Sequence, residues 1–303
     1  MKISLVGLSG CGKTSIYATT FASKKPEETK NFAPTVMYEV RNHPYLGLNV
    51  SFFDFGGQEQ YRENYIERNE VFKETNILIP IIDLHDKDSF DEAANYFVQI
   101  LNVFKKFDKK PKVVIFYHKY DSEEFEKELL ESNFEAAKEK FDDVFKGWNP
   151  EEYKTSIYDQ EQLSRIFRDM LVANYKDLQK QVEHCEDLLK DLDAKIIISD
   201  ISGNVIVHNV PGISTGLQLR ADLRDFISSC NTLRENFFRT ESIKFAGDTN
   251  EIKKEINVYI FKYILSVLIM GENLSSNKFQ EDVSQLLEDM KLFADLVVKA
   301  HEE

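Results

Sequence analysis

Four short runs in the first half of the chain, Ile3 to Val6, Val50 to Phe55, Ile77 to Leu84 and Val113 to Tyr117, are apolar on both faces and are separated by longer charged segments. A strand that alternates polar and apolar residues lines one side of a core. A run that is apolar at nearly every position must be covered on both sides, as happens where helices flank a largely parallel sheet. The segments Ser89 to Phe107 and Glu123 to Phe145 supply such helices, with apolar residues at three- and four-residue steps. The expected fold class of this half is therefore α/β. Val36 to Arg41 and Val50 to Phe55 flank the turn-rich Asn42-His-Pro-Tyr-Leu-Gly-Leu-Asn49, which predicts a hairpin and an antiparallel strand at the sheet edge.

Beyond a helix expected from Gln160 to Tyr175, the pattern changes. A polar helix over 176 to 193 leads into two β-rich runs around the turn Ser202-Gly203-Asn204. A helix from about Leu217 to Thr240 follows, then strands at Ser242 to Ala246, Asn257 to Ile264 and Ser266 to Met270. A terminal helix aligns Phe279, Val283, Leu286, Leu287, Met290, Phe293 and Val297 along one face. The order α-β-β-α-β-β-β-α describes an α+β domain, so the chain divides at 1–175 and 176–303. The most apolar segment, Ile256 to Met270, is interrupted by Asn257 and Lys262 and falls short of the roughly 20 residues that span a bilayer; it is read as buried strands.

With 303 residues, 42% hydrophobic and 30% charged, the chain has the composition of a folded protein of two domains. Its formal net charge of -14 argues against a broad nucleic-acid surface. Cys11, Cys185 and Cys230 show no paired spacing, which fits reduced thiols in the cytoplasm and not zinc. The apolar N-terminal run is too short for a signal peptide, Lys2 stands where myristoylation needs glycine, and the terminal KAHEE carries no prenylation cysteine. Membrane attachment is thus expected through partners, without direct insertion.

Directly behind the first apolar run, Gly7, Gly12, Lys13 and Thr14 fit G-x-x-x-x-G-K-[ST] between a strand and a helix. Glycines let the backbone curl, so that N–H groups of Ser9, Gly10, Cys11, Gly12 and Ser15 can point at phosphate oxygens. Lys13 would bridge β- and γ-phosphates, and the Thr14 hydroxyl would bind Mg²⁺. Without a ligand the same sequence is only a glycine-rich turn, and it does not choose between ATP and GTP. Cys11 is expected to be a small filler.

In the second motif, Phe-Phe-Asp54-Phe-Gly-Gly57-Gln58, Asp54 ends a strand where a carboxylate can hold a Mg²⁺ water. The Gly57 amide can bond a γ-phosphate, and Gln58 can orient an attacking water. Although Asp54-Phe55-Gly56 spells the kinase triplet, the accompanying lysine strand and H-R-D loop are missing. The third motif, His118-Lys119-Tyr120-Asp121, closes a strand. Asp121 offers two oxygens to the N1–H and N2–H of guanine, Lys119 can lay its stem over the purine, and Thr155, Ser156 and Ile157 can supply backbone N–H groups to the guanine oxygen. Between the first two motifs, Thr35 can add a hydroxyl to Mg²⁺ only when a γ-phosphate is present. The segment Phe21 to Thr35 is then a candidate order-disorder switch.

This set, in this order, resembles a small GTPase. Three details resemble the Rag/Gtr family in particular: His118 in place of the usual asparagine of the guanine motif, the Gly56 to Tyr65 stretch with its Gly-Gly-Gln and Glu-Asn-Tyr, and Thr155 to Asp159. The resemblance implies a G domain over 1–175 and a roadblock (longin-like) dimerisation domain over 176–303. It also implies bound GTP or GDP with Mg²⁺, with Gln58 and Lys13 as catalytic residues and Thr14, Thr35 and (through water) Asp54 around the metal. As partners it implies a Rag-like GTPase in a homo- or heterodimer, activating and exchange factors, and a roadblock-type scaffold. The setting would be nutrient signalling of the TOR type at an endolysosomal or vacuolar surface. An Arf-like protein would carry glycine in place of Lys2 and end after one domain, and a Gα subunit would insert a domain before Thr35, where the chain has no room for one. No arginine lies between Thr14 and Thr35, so hydrolysis is expected to be slow without a partner. The competing expectations are a nucleotide-locked scaffold subunit whose roadblock domain serves assembly, an Arf-like GTPase with an unrelated C-terminal domain, and a P-loop ATPase or nucleotide kinase.

Overall fold

The computed structural model describes residues 1–22, 24–121, 126–192, 194–200, 203–210, 242–249, 252–262, 264–271, 274 and 276–302. They form two compact units, one of Met1–His43 with Asn49–Leu163, the other of Pro44–Leu48 with Ser164–Glu303.

In chain order the first unit begins with strand β1 (Lys2–Val6), helix α1 (Lys13–Phe21) and the short α2 (Pro26–Thr29). Most of strands β2 (Tyr38–Tyr45) and β3 (Leu48–Phe55) follows, then α3 (Glu59–Glu67), β4 (Ile77–Asp83), α4 (Phe90–Lys106), β5 (Lys112–His118), α5 (Lys127–Val144) and β6 (Glu151–Thr155). The strands line up as β2-β3-β1-β4-β5-β6. β1 runs parallel to β3 and β4, β5 parallel to β4 and β6. The four runs apolar on both faces thus become the four interior strands, and β4 is buried along nearly its whole length.

Helix α4 shows how the cover forms. Phe90, Ala93, Tyr96, Phe97, Ile100, Leu101 and Phe104 recur at helical spacing and are all buried. Asp91 and Glu92 lie in its first turn and Lys105 and Lys106 in its last, complementing the helix dipole. Phe97 meets Phe141 of α5 with ring centroids 5.8 Å apart. Truncating such a buried aromatic to alanine typically costs about 3–5 kcal/mol.

Two local expectations need correction. The segment expected as a turn, Asn42 to Asn49, is mostly strand. β2 continues to Tyr45 and β3 restarts at Leu48, leaving a two-residue turn in which Leu46 (φ 48°) and Gly47 (φ 70°) are both left-handed. That geometry matches the twist of paired strands, and Pro44 is tolerated because β2 is the edge strand. The second correction is β6, which the sequence reading does not contain. Its Glu-Glu-Tyr-Lys-Thr has no apolar pattern, and the strand exists because β5 offers a free edge to pair with.

The second unit contains most of α6 (Gln160–Val172), then α7 (Lys176–Lys190), β7 (Lys195–Asp200), β8 (Val205–His208), β9 (Ser242–Thr249), β10 (Ile252–Phe261), β11 (Leu265–Gly271) and α8 (Asn277–Glu302). Its sheet runs β8-β7-β11-β10-β9 with every described pairing antiparallel. α7 buries Leu178, Val182, Cys185 and Leu189, and α8 buries Val283, Leu286, Met290, Phe293 and Val297. Phe279 and Leu287, expected on the same stripe, are only half-buried at its margin. The two helices meet where His184 Nε2 lies 3.0 Å from Asp289 Oδ2. The expected helix from Leu217 to Thr240 lies outside the described residues. Among the described residues no helix is long and apolar enough to cross a membrane.

Candidate functional site

The site forms at the carboxyl ends of the parallel strands, where ligands of open α/β sheets are held. β1 ends at Val6 and α1 begins at Lys13, so Gly7 to Gly12 must reverse the chain within one short loop. Gly10 (φ 80°) and Gly12 (φ 95°) take left-handed conformations there. Gly12 caps α1 with no side-chain hydrogen bond, which leaves the first N–H groups of the helix open to an anion.

A cleft of about 510 Å³ opens above this loop. Ser9, Gly10, Gly12, Lys13, Thr14 and Ser15 line its floor, with Thr35 and Gly57 on one side and His118, Lys119, Asp121 and Ile157 on the other. Thr29, Lys30, Phe32, Ala33 and Pro34, from the segment read as a switch, also face it. His85 does too, and nothing in its local sequence signals that. Cys11, Thr155 and Ser156 are buried and do not line the cleft. Burial pushes the Cys11 thiol up from its ordinary value, which suits a filler.

Lys13 is held by its own loop: Nζ donates to Gly7 O at 3.0 Å and Leu8 O at 2.6 Å. Beside it, three oxygens converge. Thr14 Oγ1 donates to Asp54 Oδ2 at 2.6 Å and lies 3.1 Å from Thr35 Oγ1. Asp54 has no exposed surface, and its Oδ1 has no hydrogen-bond partner among the described residues. A buried carboxylate oxygen left over, next to two hydroxyls, suits a hard cation such as Mg²⁺, which takes one or two carboxylates and fills its shell with waters and phosphate oxygens. Arg41 Nη1 also reaches Asp54 Oδ2, at 3.0 Å, a contact the sequence reading does not contain.

Gly57 is needed for close approach. A Cβ there would stand 2.2 Å from the Leu8 carbonyl carbon and 2.3 Å from Ser9 N, so only glycine lets the start of the 56–70 segment press against the phosphate loop. Gln58 behaves differently from its neighbour. It caps α3, lies outside the cleft lining, and its Oε1 accepts from Gln60 Nε2 at 3.1 Å.

At the far side, His118 is buried with Nδ1 2.9 Å from Thr155 Oγ1. Its ring fills the space a side chain at position 12 would take, since a Cβ on Gly12 would fall 2.6 Å from Cδ2. Burial, then the charge of Lys119 and the nearby His85, lowers its pKa from 6.5 to about 3, with Thr155 pulling the other way. The ring is therefore neutral and joins the third motif to both the phosphate loop and the Thr155 loop. Lys119 takes a left-handed backbone (φ 62°), and its ammonium pairs with Asp83 Oδ2 at 2.5 Å. Asp121 Oδ2 accepts from Ser156 Oγ at 2.9 Å, so the loop expected beside a guanine is tied to the carboxylate expected to read it.

Residues 2–212 match the model of the Gtr1/RagA G protein conserved region. The chain belongs to the Gtr1/RagA G protein family. It is similar to the Ras-related GTP-binding protein A of Dictyostelium discoideum, 25% identical over 247 residues that cover 78% of this chain and 80% of that protein. It is also similar to two proteins of Saccharomyces cerevisiae. GTP-binding protein GTR1 is 24% identical over 63% of this chain and 64% of its own length, less than two thirds of that relative. GTP-binding protein GTR2 is 24% identical over 74% of this chain and 68% of its own length. This Gtr1/RagA-family chain is accordingly a small GTPase with the P-loop fold, and its phosphate loop, Thr35, Asp54 and His118-to-Asp121 motif all fall inside the matched region.

Proposed function

We propose that this GTPase is a Mg²⁺-dependent guanine-nucleotide switch whose nucleotide state sets the conformation of residues 21–35 and 56–70. The observation that supports it is convergence: five separated stretches, carrying Lys13, Thr35, Gly57, Asp121 and Ile157, line one cleft. In this reading Ser9 to Ser15 cradle the phosphates through backbone N–H groups, and Lys13 and the Gly57 amide contact the γ-phosphate. Asp121 reads guanine while Lys119 covers the ring, and the Ser156 hydroxyl fixes Asp121. Thr14, Thr35 and, through water, Asp54 would hold Mg²⁺, which neutralises charge on the β- and γ-phosphates when bound. Hydrolysis adds water to the γ-phosphorus and breaks its bond to the β-phosphate oxygen, giving GDP and phosphate. Gln58 has to leave Gln60 and turn inward to orient that water, and no arginine between Thr14 and Thr35 is placed to stabilise the leaving charge. Turnover is then slow until an activating partner supplies one, an effect of roughly 10³ to 10⁵ in rate.

Residues 176–303 serve, in the same proposal, as a roadblock-type dimerisation domain that joins a Rag-like subunit and docks on a roadblock-type scaffold. A helix, a five-stranded antiparallel sheet and a closing helix support this reading, as does similarity to both GTR1 and GTR2. The setting is nutrient signalling of the TOR type, with recruitment from the cytoplasm to an endolysosomal or vacuolar surface through partners. The outward position of Gln58 favours a second reading, a nucleotide-locked scaffold subunit. Single-turnover hydrolysis of bound GTP separates the two. The switch predicts slow phosphate release that activators accelerate and Gln58→Leu abolishes. No release under either condition leaves the scaffold.

A further inference from the structure

We propose that Arg41 tunes the magnesium affinity of the site by competing with the cation for Asp54. The inference rests on the guanine-nucleotide reading, because the cation would be shared with the nucleotide's phosphates. Asp54 is fully buried, and its Oδ2 accepts from both Thr14 Oγ1 at 2.6 Å and Arg41 Nη1 at 3.0 Å. The guanidinium arrives from β2, the strand that follows Thr35, and its carbon lies 4.9 Å from the centre of the Tyr17 ring.

A buried carboxylate held by a guanidinium is already charge-compensated. A divalent cation approaching Thr14 and Asp54, with Thr35 joining only once a γ-phosphate is bound, would therefore meet a positive charge already seated on the same carboxylate. Even at the free Oδ1, directly or through a water, Mg²⁺ would bind a carboxylate whose charge the guanidinium on Oδ2 already offsets, and it would recover the full attraction only where the arginine gives up Oδ2. Arg41 can do so without being stranded, because its Nη2 also pairs with the exposed Glu39 and its planar face keeps the Tyr17 ring. Arg41 thus lowers Mg²⁺ affinity. Since the phosphates are held partly through the cation, it also speeds release of the bound diphosphate. Glu39 works in the opposite sense, by offering the guanidinium an alternative place.

The test is the dissociation rate of fluorescent methylanthraniloyl-GDP from the full chain across buffered free Mg²⁺, read as the concentration that gives half of the slowing. Releasing one charged hydrogen bond corresponds to about a tenfold change in that midpoint. Arg41→Ala is expected to lower the midpoint by this factor, Arg41→Lys to keep it near the parent value, and Glu39→Gln to raise it. An unchanged or raised midpoint in Arg41→Ala overturns the proposal. Should that variant fold poorly, Glu39→Gln decides alone, and an unchanged or lowered midpoint overturns it equally. If the parent protein binds no labelled GDP, the guanine-nucleotide reading fails and this inference with it. If the parent is Mg²⁺-sensitive and the variants do not move, this inference fails and that reading stands.

Discussion

Lowering the pH should weaken the first unit through His118 in a way that His118→Asn removes. In the unfolded chain this imidazole takes a proton near pH 6.5, whereas in the fold burial and the charge of Lys119 hold its pKa at about 3. The stability it contributes is present above 6.5 and is lost as the pH falls toward 3, because the unfolded chain binds a proton that the native site refuses. Each pH unit in that window costs about 1.4 kcal/mol, so moving from pH 7.5 to 5.5 should remove about 1.4 kcal/mol. Asparagine does not titrate. Its loss of packing against Gly12 is an offset at every pH, and only the slope carries the result. The single tryptophan, Trp148, is buried in the same unit against Phe104, so its fluorescence in a urea titration reports on the right part of the chain. The pH range stays above the pI near 5.0, where the protein is least soluble. The expected outcome is a stability difference between parent and variant that changes by about 1.4 kcal/mol across the two pH units. Equal slopes would show that His118 accepts a proton inside the fold, and would refute the description of it as a buried neutral tie between three loops.

Two further outcomes follow from the geometry. Gly57→Ala places a methyl 2.2 Å from a backbone carbon that cannot swing aside; with an overpacking cost of roughly 1–3 kcal/mol falling on the position in which residue 57 presses against the phosphate loop, the position its amide needs to meet a γ-phosphate, affinity for GTP should drop about tenfold more than affinity for GDP. Equal loss for both nucleotides would show that Gly57 is not tied to the γ-phosphate. For assembly, light scattering of the full chain, alone and co-expressed with a Rag-like subunit, should return two chains in at least one of the preparations. The 35.3 kDa of one chain in both refutes dimerisation.

What could be read from the sequence was local. The interior strands were legible because burial on both faces leaves an unbroken apolar run, and Gly7 to Thr14 because the loop's chemistry lies in consecutive backbone groups. The hairpin's true length was hidden, since its turn is Leu46-Gly47 and not a stronger turn pair, and since Pro44 argues against a strand unless the strand is known to be an edge. β6 was hidden because pairing with β5, and no pattern of its own, makes it a strand. Side-chain pairings between distant positions were equally out of reach. Arg41 with Asp54, Lys119 with Asp83 and His118 with Gly12 each depend on how strands and loops are brought together in space, and residue spacing carries no record of that. The direction of Gln58 depends on which rotamer its neighbour Gln60 captures.

Strand β2 carries a last consequence, for handling the protein. It is an edge strand of the sheet among the described residues, and Val36, Met37, Tyr38 and Val40 stand exposed on or beside it. An edge of that kind is a template on which another extended chain can add itself. Three residues blunt it: the charged pair Glu39 and Arg41, and Pro44, which offers no N–H. The net charge of -14 adds a longer-ranged repulsion between copies. Colloidal stability at this edge therefore rests on charge more than on shape, and it weakens in concentrated salt, where that repulsion is screened.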